Sequence, residues 1–444
     1  MFSIPALTMN SNKNYKINFD GGQLSSDGGL LLIKEFFHKI GFEKLINRSF
    51  KTSDSDSRRK HTDSENLLQM IYQTMGAYFR DDRADDLSHD PVITAALGKD
   101  RLASQPTMSR FVNRLDKSTS LQINGLTRTI RQVFYSLEKP KEFLLDLDST
   151  LLHTFGNQEG QGFNFHYQGY GYHPLVCYDG HTGTLLKAGL RHGNAHSGKE
   201  SDAFMRELLE ELKADFPKTP CVLRADSGFA TPKLYKVLEE MDCPYAIRQK
   251  INSKLKRLVA DEAEALNLRR AESGYTTKDH FVYGEMMYRA GKWDRPRRIV
   301  YKIEGIPDSF LIAYTFIITS MDDKTPEEII DFYHNRGSME NFIKEGKNGF
   351  GFRMVSSSKM IANENRLQIH ALTYNLFNAF RRLVLTKEMR KHHIDTIRIM
   401  LFKIAVKMVH RSRQTYFKLC SSFAYKREFI EIFKNIEKLS TQLE

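Results

Sequence analysis

Cysteine is scarce, with four in 444 residues. Cys177, Cys221, Cys243 and Cys420 are widely spaced, with no C-x-x-C and no zinc-ribbon pattern, so no disulfide framework is implied and they read as reduced, mostly buried thiols of an intracellular protein. Long hydrophobic runs are missing as well. The amino terminus, MFSIPALTMNSNKNYKINF, lacks a basic n-region and a long apolar h-region. The most apolar later run, FLIAYTFIITS from Phe310 to Ser320, is too short to span a bilayer. A cytoplasmic protein with no membrane partner is the expectation. Internal repeats and low-complexity tracts are absent, which excludes solenoids and disordered chains.

What is present is the composition of a folded protein, 41% hydrophobic and 27% charged with 30 Phe and 19 Tyr, on a length that suits two to four domains. The net charge of +12 favours an anionic partner such as nucleic acid. Its distribution says more, because Gly351 to Glu444 holds 18 Lys and Arg against 7 Asp and Glu, so that stretch carries +11 of the total.

After a short β-prone start, the stretch from Ser25 to Ile46 has apolar residues at helical spacing behind a Ser25-Ser26-Asp27 cap signal. A polar loop, NRSFKTSDSDSRRKHTDSE, follows, and helical patterns resume from Asn66 to about Asp116. The last of these starts with Ser104 and Pro106 and offers Arg110, Asn113 and Arg114, either as a DNA-reading helix or as an ordinary charged face. From Lys141 the texture changes. EFLLDLDST is a strand, HPLVCYDGHTGTLLKAGLRHG a hairpin around Asp179-Gly180, and CVLRADSGF and PYAIRQK are strands separated by helices. That order predicts an α/β fold with a mixed sheet and helices on its faces. Between about Gln249 and Thr319 β-rich segments read as an insertion, after which helices continue to the end.

Asp148 and Asp226 each end an apolar strand and precede a turn. Carboxylates so placed on adjacent strands, with a glutamate from a helix, are the oxygen ligands that two hard cations need for phosphoryl transfer. Asp146 lies on the same strand face as Asp148 and competes with it; Asp226 can also be read as a turn cap. In YHNRGSMENFIKEGK, Tyr333, Arg336, Glu340 and Lys347 stand at offsets 0, 3, 7 and 14. On one continuous helix these fall in a stripe about 60° wide. Such a stripe is either a salt-bridged solvated face or cations for phosphates beside a metal-binding carboxylate, with Glu345 about 120° away as the weaker ligand.

The Y-(2)-R-(3)-E-(6)-K spacing resembles the signature of bacterial insertion-sequence DDE transposases that carry a β-insertion before the glutamate. The wider text is similar to the insertion sequence thirteen-eighty family: SSDGGLLL, RADDLSHDP, LASQPTMSRF, LDLDST, FGNQEGQGFNFHYQGYGYHPL and RADSGF, in order along almost the whole chain. The resemblance implies an RNase H-like mixed-sheet catalytic domain interrupted by a β-rich insertion, with a helical amino-terminal DNA-binding region and a helical carboxy-terminal tail. In those terms the chain divides into residues 1–138 (helical, DNA-binding), 139–248 (catalytic, first part), 249–319 (insertion), 320–385 (catalytic, second part) and 386–444 (basic, helical). Asp148, Asp226 and Glu340 would be the catalytic metal-binding triad, for two Mg²⁺ ions with Mn²⁺ as a substitute, and Tyr333, Arg336 and Lys347 would contact DNA near the cleaved end.

The lone tryptophan, Trp293, lies in the insertion beside Lys292, Arg295, Arg297 and Arg298. It either packs that region or holds a flipped base, as insertion-domain aromatics do in related hairpin-resolving enzymes. His192 and His196 have an i, i+4 spacing, but Gly193 and Asn194 between them argue against a zinc-binding helix. The Gly-rich GQGFNFHYQGYGYHP lacks the context of a nucleotide loop and reads as a loop flanking the active site. The expected function is cut-and-paste DNA transposition. A bacterial, nucleoid-associated enzyme would bind terminal inverted repeats, cleave at the element ends and join the 3′-hydroxyls to target DNA as a homodimer around paired ends. The rivals are a metal-dependent nuclease of the same fold and a DNA-binding derivative that no longer cuts. The basic tail is expected to lie along the DNA backbone through Arg381, Arg382, Lys403 and Lys407.

Overall fold

A computed structural model describes residues 6–54, 58–273, 275 and 280–440. Residues 1–5 and 55–57, the latter within the polar stretch between the second and third helices, lie outside that set. The chain divides into two compact units, Phe134–Lys344 and Met1–Val133 together with Glu345–Glu444.

The Phe134–Lys344 unit is built on an eight-stranded mixed sheet. Its strands are β1 (Phe143–Ser149), β2 (Leu175–Asp179), β3 (Leu185–Gly189), β4 (Cys221–Ala225), β5 (Tyr245–Arg248), β6 (Phe281–Tyr288), β7 (Arg297–Gly305) and β8 (Ile312–Thr319), in the order β6-β7-β8-β5-β4-β1-β2-β3. β1, β4 and β5 are parallel neighbours, and the other pairings are antiparallel. The parallel strands read FLLDLDS, CVLRA and YAIR, nearly continuous apolar runs of the kind that a sheet covered on both faces demands. Helix α1 (Ser201–Asp215) precedes β4, and α2 (Pro232–Glu240), opened by Thr231 and Pro232, links β4 to β5. After α3 (Ala260–Glu272) and the last three strands comes α4 (Pro326–His334), whose start is fixed by a Thr325–Glu328 capping box. Ile329, Ile330 and Tyr333 of α4 pack on Leu144, Val222, Ala246, Val300, Ile317 and Met321. Burying each isoleucine contributes about 1.5–3 kcal/mol, which seats α4 on one face of the central strands.

The strands of the 249–319 segment extend this sheet. β8 pairs antiparallel with β5 (Ala246↔Thr319, Ile247↔Ile318), because β5 would otherwise leave an open edge and the apolar end of β8 matches it in register.

In the other unit the stretch from Ser25 to Ile46 forms two helices, Leu30–Ile40 and Phe42–Ser49, broken where Gly41 adopts φ 76°. Asp27 does not cap the first. It is fully buried and accepts from Lys403 Nζ (2.6 Å) and Tyr78 Oη (2.7 Å). The helices Asp63–Met75 and Met360–Val384 pack together, the latter buried along most of its circumference. The carboxy-terminal region is not wholly helical: Val406–Arg411 and Gln414–Leu419 form a hairpin, turned by Ser412 and Arg413 at φ 49° and 65°, before the Lys426–Glu437 helix. Two positive φ angles in a two-residue loop match the right-handed twist of hairpin strands. No helix among the described residues is long and apolar enough to cross a membrane.

Candidate active site

The register of β1 against β4 runs from Phe143↔Cys221 to Leu147↔Ala225, so one further step sets Asp148 level with Asp226. Even-numbered residues of β1 and β4 share a face. Along it lie an apolar pair, Leu144 and Val222, then Asp146 with Arg224, then the two aspartates at the strand exits. Asp146 and Arg224 are buried and joined by two bonds, Nε to Oδ1 and Nη2 to Oδ2, both 2.8 Å. Arg224 also donates to Phe332 O (2.8 Å) and lies over the Phe332 ring. Both oxygens of Asp146 are thus engaged by a guanidinium, whereas Asp148 sits where the strand opens.

Asp148 Oδ1 accepts from Ser149 N (2.7 Å), and its Oδ2 is 2.9 Å from Arg336 Nη2. Burial pushes its carboxyl above the usual range, Arg336 opposes that shift, and the neighbouring Asp226 adds to it. Asp226 Oδ1 accepts from Gly228 N (2.8 Å), capping the short turn Ser227–Phe229. The capping and cleft-facing roles coexist, since the cap uses one carboxylate oxygen. Tyr167 donates to Ser149 O (3.0 Å), and its phenol is pushed up to about 12 by burial and by the negative charges of Asp148 and Asp226.

The expected stripe on one continuous helix does not form. α4 ends at His334, with Asn335 as its cap, and α5 (Gly337–Gly349) starts anew after Arg336. Tyr333 is in the last turn of α4 and packs in the core. Arg336, in the joint between the helices, reaches the Asp148 carboxylate and Leu147 O (3.1 Å). Burial opposes its charge, but Asp148, Tyr333 and Asp226 outweigh that and raise its pKa. Glu340 is in the first turn of α5 and exposed, while Phe342 on the opposite side packs against Tyr178 at 5.7 Å. Lys347 follows two turns later on α5. Glu345 is buried and accepts from Arg381 and from Ile394 N (2.7 Å), which removes it as a metal ligand. Among the described residues, no group of three His, Cys, Asp or Glu side chains is arranged to hold a metal ion. The acid pair alone has the matching chemistry: two adjacent hard-oxygen donors in a partly buried cleft, whose mutual repulsion a cation would relieve.

Several residues expected to contact DNA have partners within the protein. Trp293 is 6% exposed and packs edge-on against Tyr235 and Tyr288. Arg298 pairs with Glu285 and donates to Met321 O (2.5 Å) and Lys324 O (2.9 Å). Arg295 and Arg297 both pair with Glu239. Arg114 bonds Asp63 (2.6 Å), tying its turn to the Asp63–Met75 helix, while Arg110 stays exposed. In the tail, Arg381 is engaged by Glu345 and Lys403 by Asp27. The partners of Arg114, Arg295, Arg297, Arg381 and Lys403 are distant in sequence, which hides those pairings from any local pattern.

The Gly-rich segment is the flank that its sequence suggested. Leu152–His153, Gly162–Asn164 and Gly169–Tyr172 form a three-stranded sheet directly after β1. A cavity of about 320 Å³ lies between it and Asp226, lined by residues that include Phe165, His166, Tyr167, His173, Asn194 and Ser197. The mixed Gly and aromatic spacing was its only sequence signal.

A family description, Transposase DDE domain group 1, matches residues 7–441. No curated protein matches the chain. Among solved structures, a piggyBac transposase synaptic complex with hairpin DNA is 15% identical with a TM-score of 0.43, over 93% of this chain and 85% of that one. A Mos1 transposase paired-end complex with the left transposon end is 11% identical with a TM-score of 0.18, over 45% of this chain and 61% of that one. A Mos1 mariner paired-end complex with Mn, also 11% identical with a TM-score of 0.18, is matched over 46% of this chain and 65% of that one. These structural overlaps are loose, and assignment rests on the match that spans nearly every residue: the chain belongs to the DDE transposases, enzymes that cleave and transfer DNA.

Proposed function

We propose that this transposase belongs with the insertion sequence thirteen-eighty elements, binds the terminal inverted repeats of its own element, cleaves at their ends and joins the 3′-hydroxyls to target DNA by cut-and-paste transposition. Asp148, Asp226 and Glu340 supply the carboxylate oxygens, for two Mg²⁺ ions that Mn²⁺ can replace. Bound there, divalent ions supply activation of the attacking water or 3′-hydroxyl and stabilisation of the leaving oxygen. The observation that carries the reading is the pairing of Asp148 and Asp226 at the exits of neighbouring parallel strands. Arg336 holds Asp148 in place, and its second contact, with Leu147 O, fixes the guanidinium at the strand end. Glu340 stands one helical turn beyond Arg336, at the start of α5. The run β3-β2-β1-β4-β5, a hairpin beside two parallel crossovers, supports an RNase H-like reading of the catalytic unit. Arg110, which is exposed, and Lys347, which is partly buried, are the cations we assign to DNA, and a homodimer would handle the paired ends.

The test uses a duplex with the element's terminal sequence. Asp148→Asn, Asp226→Asn and Glu340→Gln are each expected to abolish Mg²⁺-dependent cleavage while retaining end binding. Persistent cleavage in any of them removes that residue from the site. Transfer of pre-cut ends into plasmid DNA separates transposition from the rival of simple nuclease action.

A further inference from the structure

The hairpin of Val406–Arg411 and Gln414–Leu419 has two unlike faces. Its strands pair from Val406↔Leu419 to Arg411↔Gln414, and the first of them also pairs with Leu24–Ser25 through Val406↔Ser25 and Lys407↔Leu24. Alternate residues of a strand share a face, so Val406, Met408, Phe417 and Leu419 stand together, and all are buried or half-buried. On that side Met408, His410 and Thr415 line a cavity of about 410 Å³ together with Pro91, Thr94 and Ala95 of the Pro91–Leu97 helix. The other face carries Lys407, Val409 and Arg411 opposite Lys418, Tyr416 and Gln414, all exposed except the half-buried Val409.

Between Val406 and Leu419 there are four cations, Lys407, Arg411, Arg413 and Lys418, and no carboxylate; all four are exposed. Arg381 and Lys403 find carboxylates within the fold, whereas among the described residues these four do not. Lys407 and Lys418 stand directly opposite each other in the register, so their charges repel across the ladder. The turn sharpens the pattern. Ser412 and Arg413 hold positive φ angles that glycine and asparagine adopt more easily, and a guanidinium therefore stands at the tip. A face kept in this state against local preference fits an anionic partner.

Shape and the uncharged groups decide which anion. A two-stranded ribbon fits the major groove of duplex DNA, about 12 Å wide, with cations on both strands and at the tip to meet the phosphates of the groove walls. Gln414 stands opposite Arg411 on the exposed face, and these are the side-chain types that read adenine and guanine edges. Tyr416 Oη donates to Gln414 Oε1 (2.6 Å), which holds the amide and leaves its Nε2 to donate elsewhere. A single strand would call for a row of rings to stack on, and this face offers one, Tyr416.

We infer that the Val406–Leu419 hairpin enters the major groove of duplex DNA, with Lys407, Arg413 and Lys418 on the phosphates and Arg411 and Gln414 on base edges. This rests on the reading that the chain binds the terminal inverted repeats of its own element, and it names the surface that reads their sequence.

The test measures the affinity of the full chain by fluorescence anisotropy, across a salt series, for a duplex of the terminal sequence and for a shuffled duplex of equal length and composition. Lys407→Gln combined with Lys418→Gln should weaken binding to both duplexes alike and lower the slope of log affinity against log salt by about 2, the loss of two phosphate contacts. Removing the facing charges relieves their repulsion, so this variant should melt at or above the native temperature, which separates its lost affinity from unfolding. Gln414→Ala should keep the native slope and lose about tenfold of the preference for the terminal sequence, equivalent to about 1.4 kcal/mol, the scale of one base pair read in the groove. An unchanged slope in the double variant, or an undiminished preference in Gln414→Ala, overturns the ribbon reading alone when the native protein prefers its terminal sequence. A native protein that binds both duplexes equally overturns the reading of end recognition and the ribbon's role with it.

Discussion

Asp146 and Asp148 stand two residues apart on one strand face, and replacing each by asparagine should have opposite consequences. Asp146 is 0% exposed and paired through two 2.8 Å bonds with a guanidinium that is itself 2% exposed. Asp146→Asn leaves the buried Arg224 charge uncompensated, a loss that costs about 3–5 kcal/mol when one partner of a buried pair is removed. In a unit of the size of Phe134–Lys344 each kcal/mol moves the melting temperature by about 2–4 °C, so a fall of about 10 °C is expected. The variant should still fold at room temperature and cleave end DNA there, because Asp146 presents no oxygen to the cleft. Asp148→Asn should do the reverse. Its carboxyl is pushed up by burial, with Arg336 opposing and Asp226 adding to the shift, so the lost Arg336 pair and the relieved repulsion offset each other, and melting should change far less than in Asp146→Asn while cleavage is lost. Replacing both members of the buried pair, Asp146→Leu with Arg224→Met, should recover most of the stability. Calorimetry with a cleavage assay on the same preparations decides. An Asp146→Asn protein that melts like the native one yet cannot cleave would refute the assignment and make Asp146 the ligand.

Arg336 lowers the proton affinity of Asp148, so Arg336→Met should shift the acid limb of the cleavage–pH profile to higher pH; an unmoved limb would show that the ion pair does not govern the site. His370 is buried, with its pKa lowered to about 3 by burial and by Arg366. Unfolded histidine takes up its proton near pH 6.5, so stability should fall as pH drops from 6.5 towards 3, by roughly 2 kcal/mol at pH 5. His370→Leu should flatten that dependence in urea titrations, and a slope equal to the native one would contradict it. Trp293→Ala should cost about 3–5 kcal/mol as a buried aromatic truncation, with the DNA affinity of the folded variant unchanged; lost affinity without lost stability would mean that the indole reaches DNA.

Local pattern was enough for the strands ending at Ser149, Asp179, Ala225 and Arg248, for the hairpin at Asp179-Gly180, and for two aspartates at strand exits, because burial on both faces selects apolar runs and turns follow at once. Which of two aspartates on one face opens into the cleft is not local. It depends on Arg224 standing beside Asp146 on the neighbouring strand. Tyr333, Arg336 and Glu340 share a regular spacing, yet the chain leaves the helix at Asn335, so an axis drawn through one segment misplaces the other. β6, β7 and β8 are legible as strands, but only their pairing shows that they prolong the main sheet. Arg114, Arg298, Arg381 and Lys403 all look like surface cations in one dimension and all find partners in three. Composition and periodicity determine what each segment prefers and which groups can bind metal or phosphate. Which charges are already neutralised, and which acids remain at an open edge, is decided by contacts between segments far apart in the chain, because Coulomb interaction and desolvation act through space.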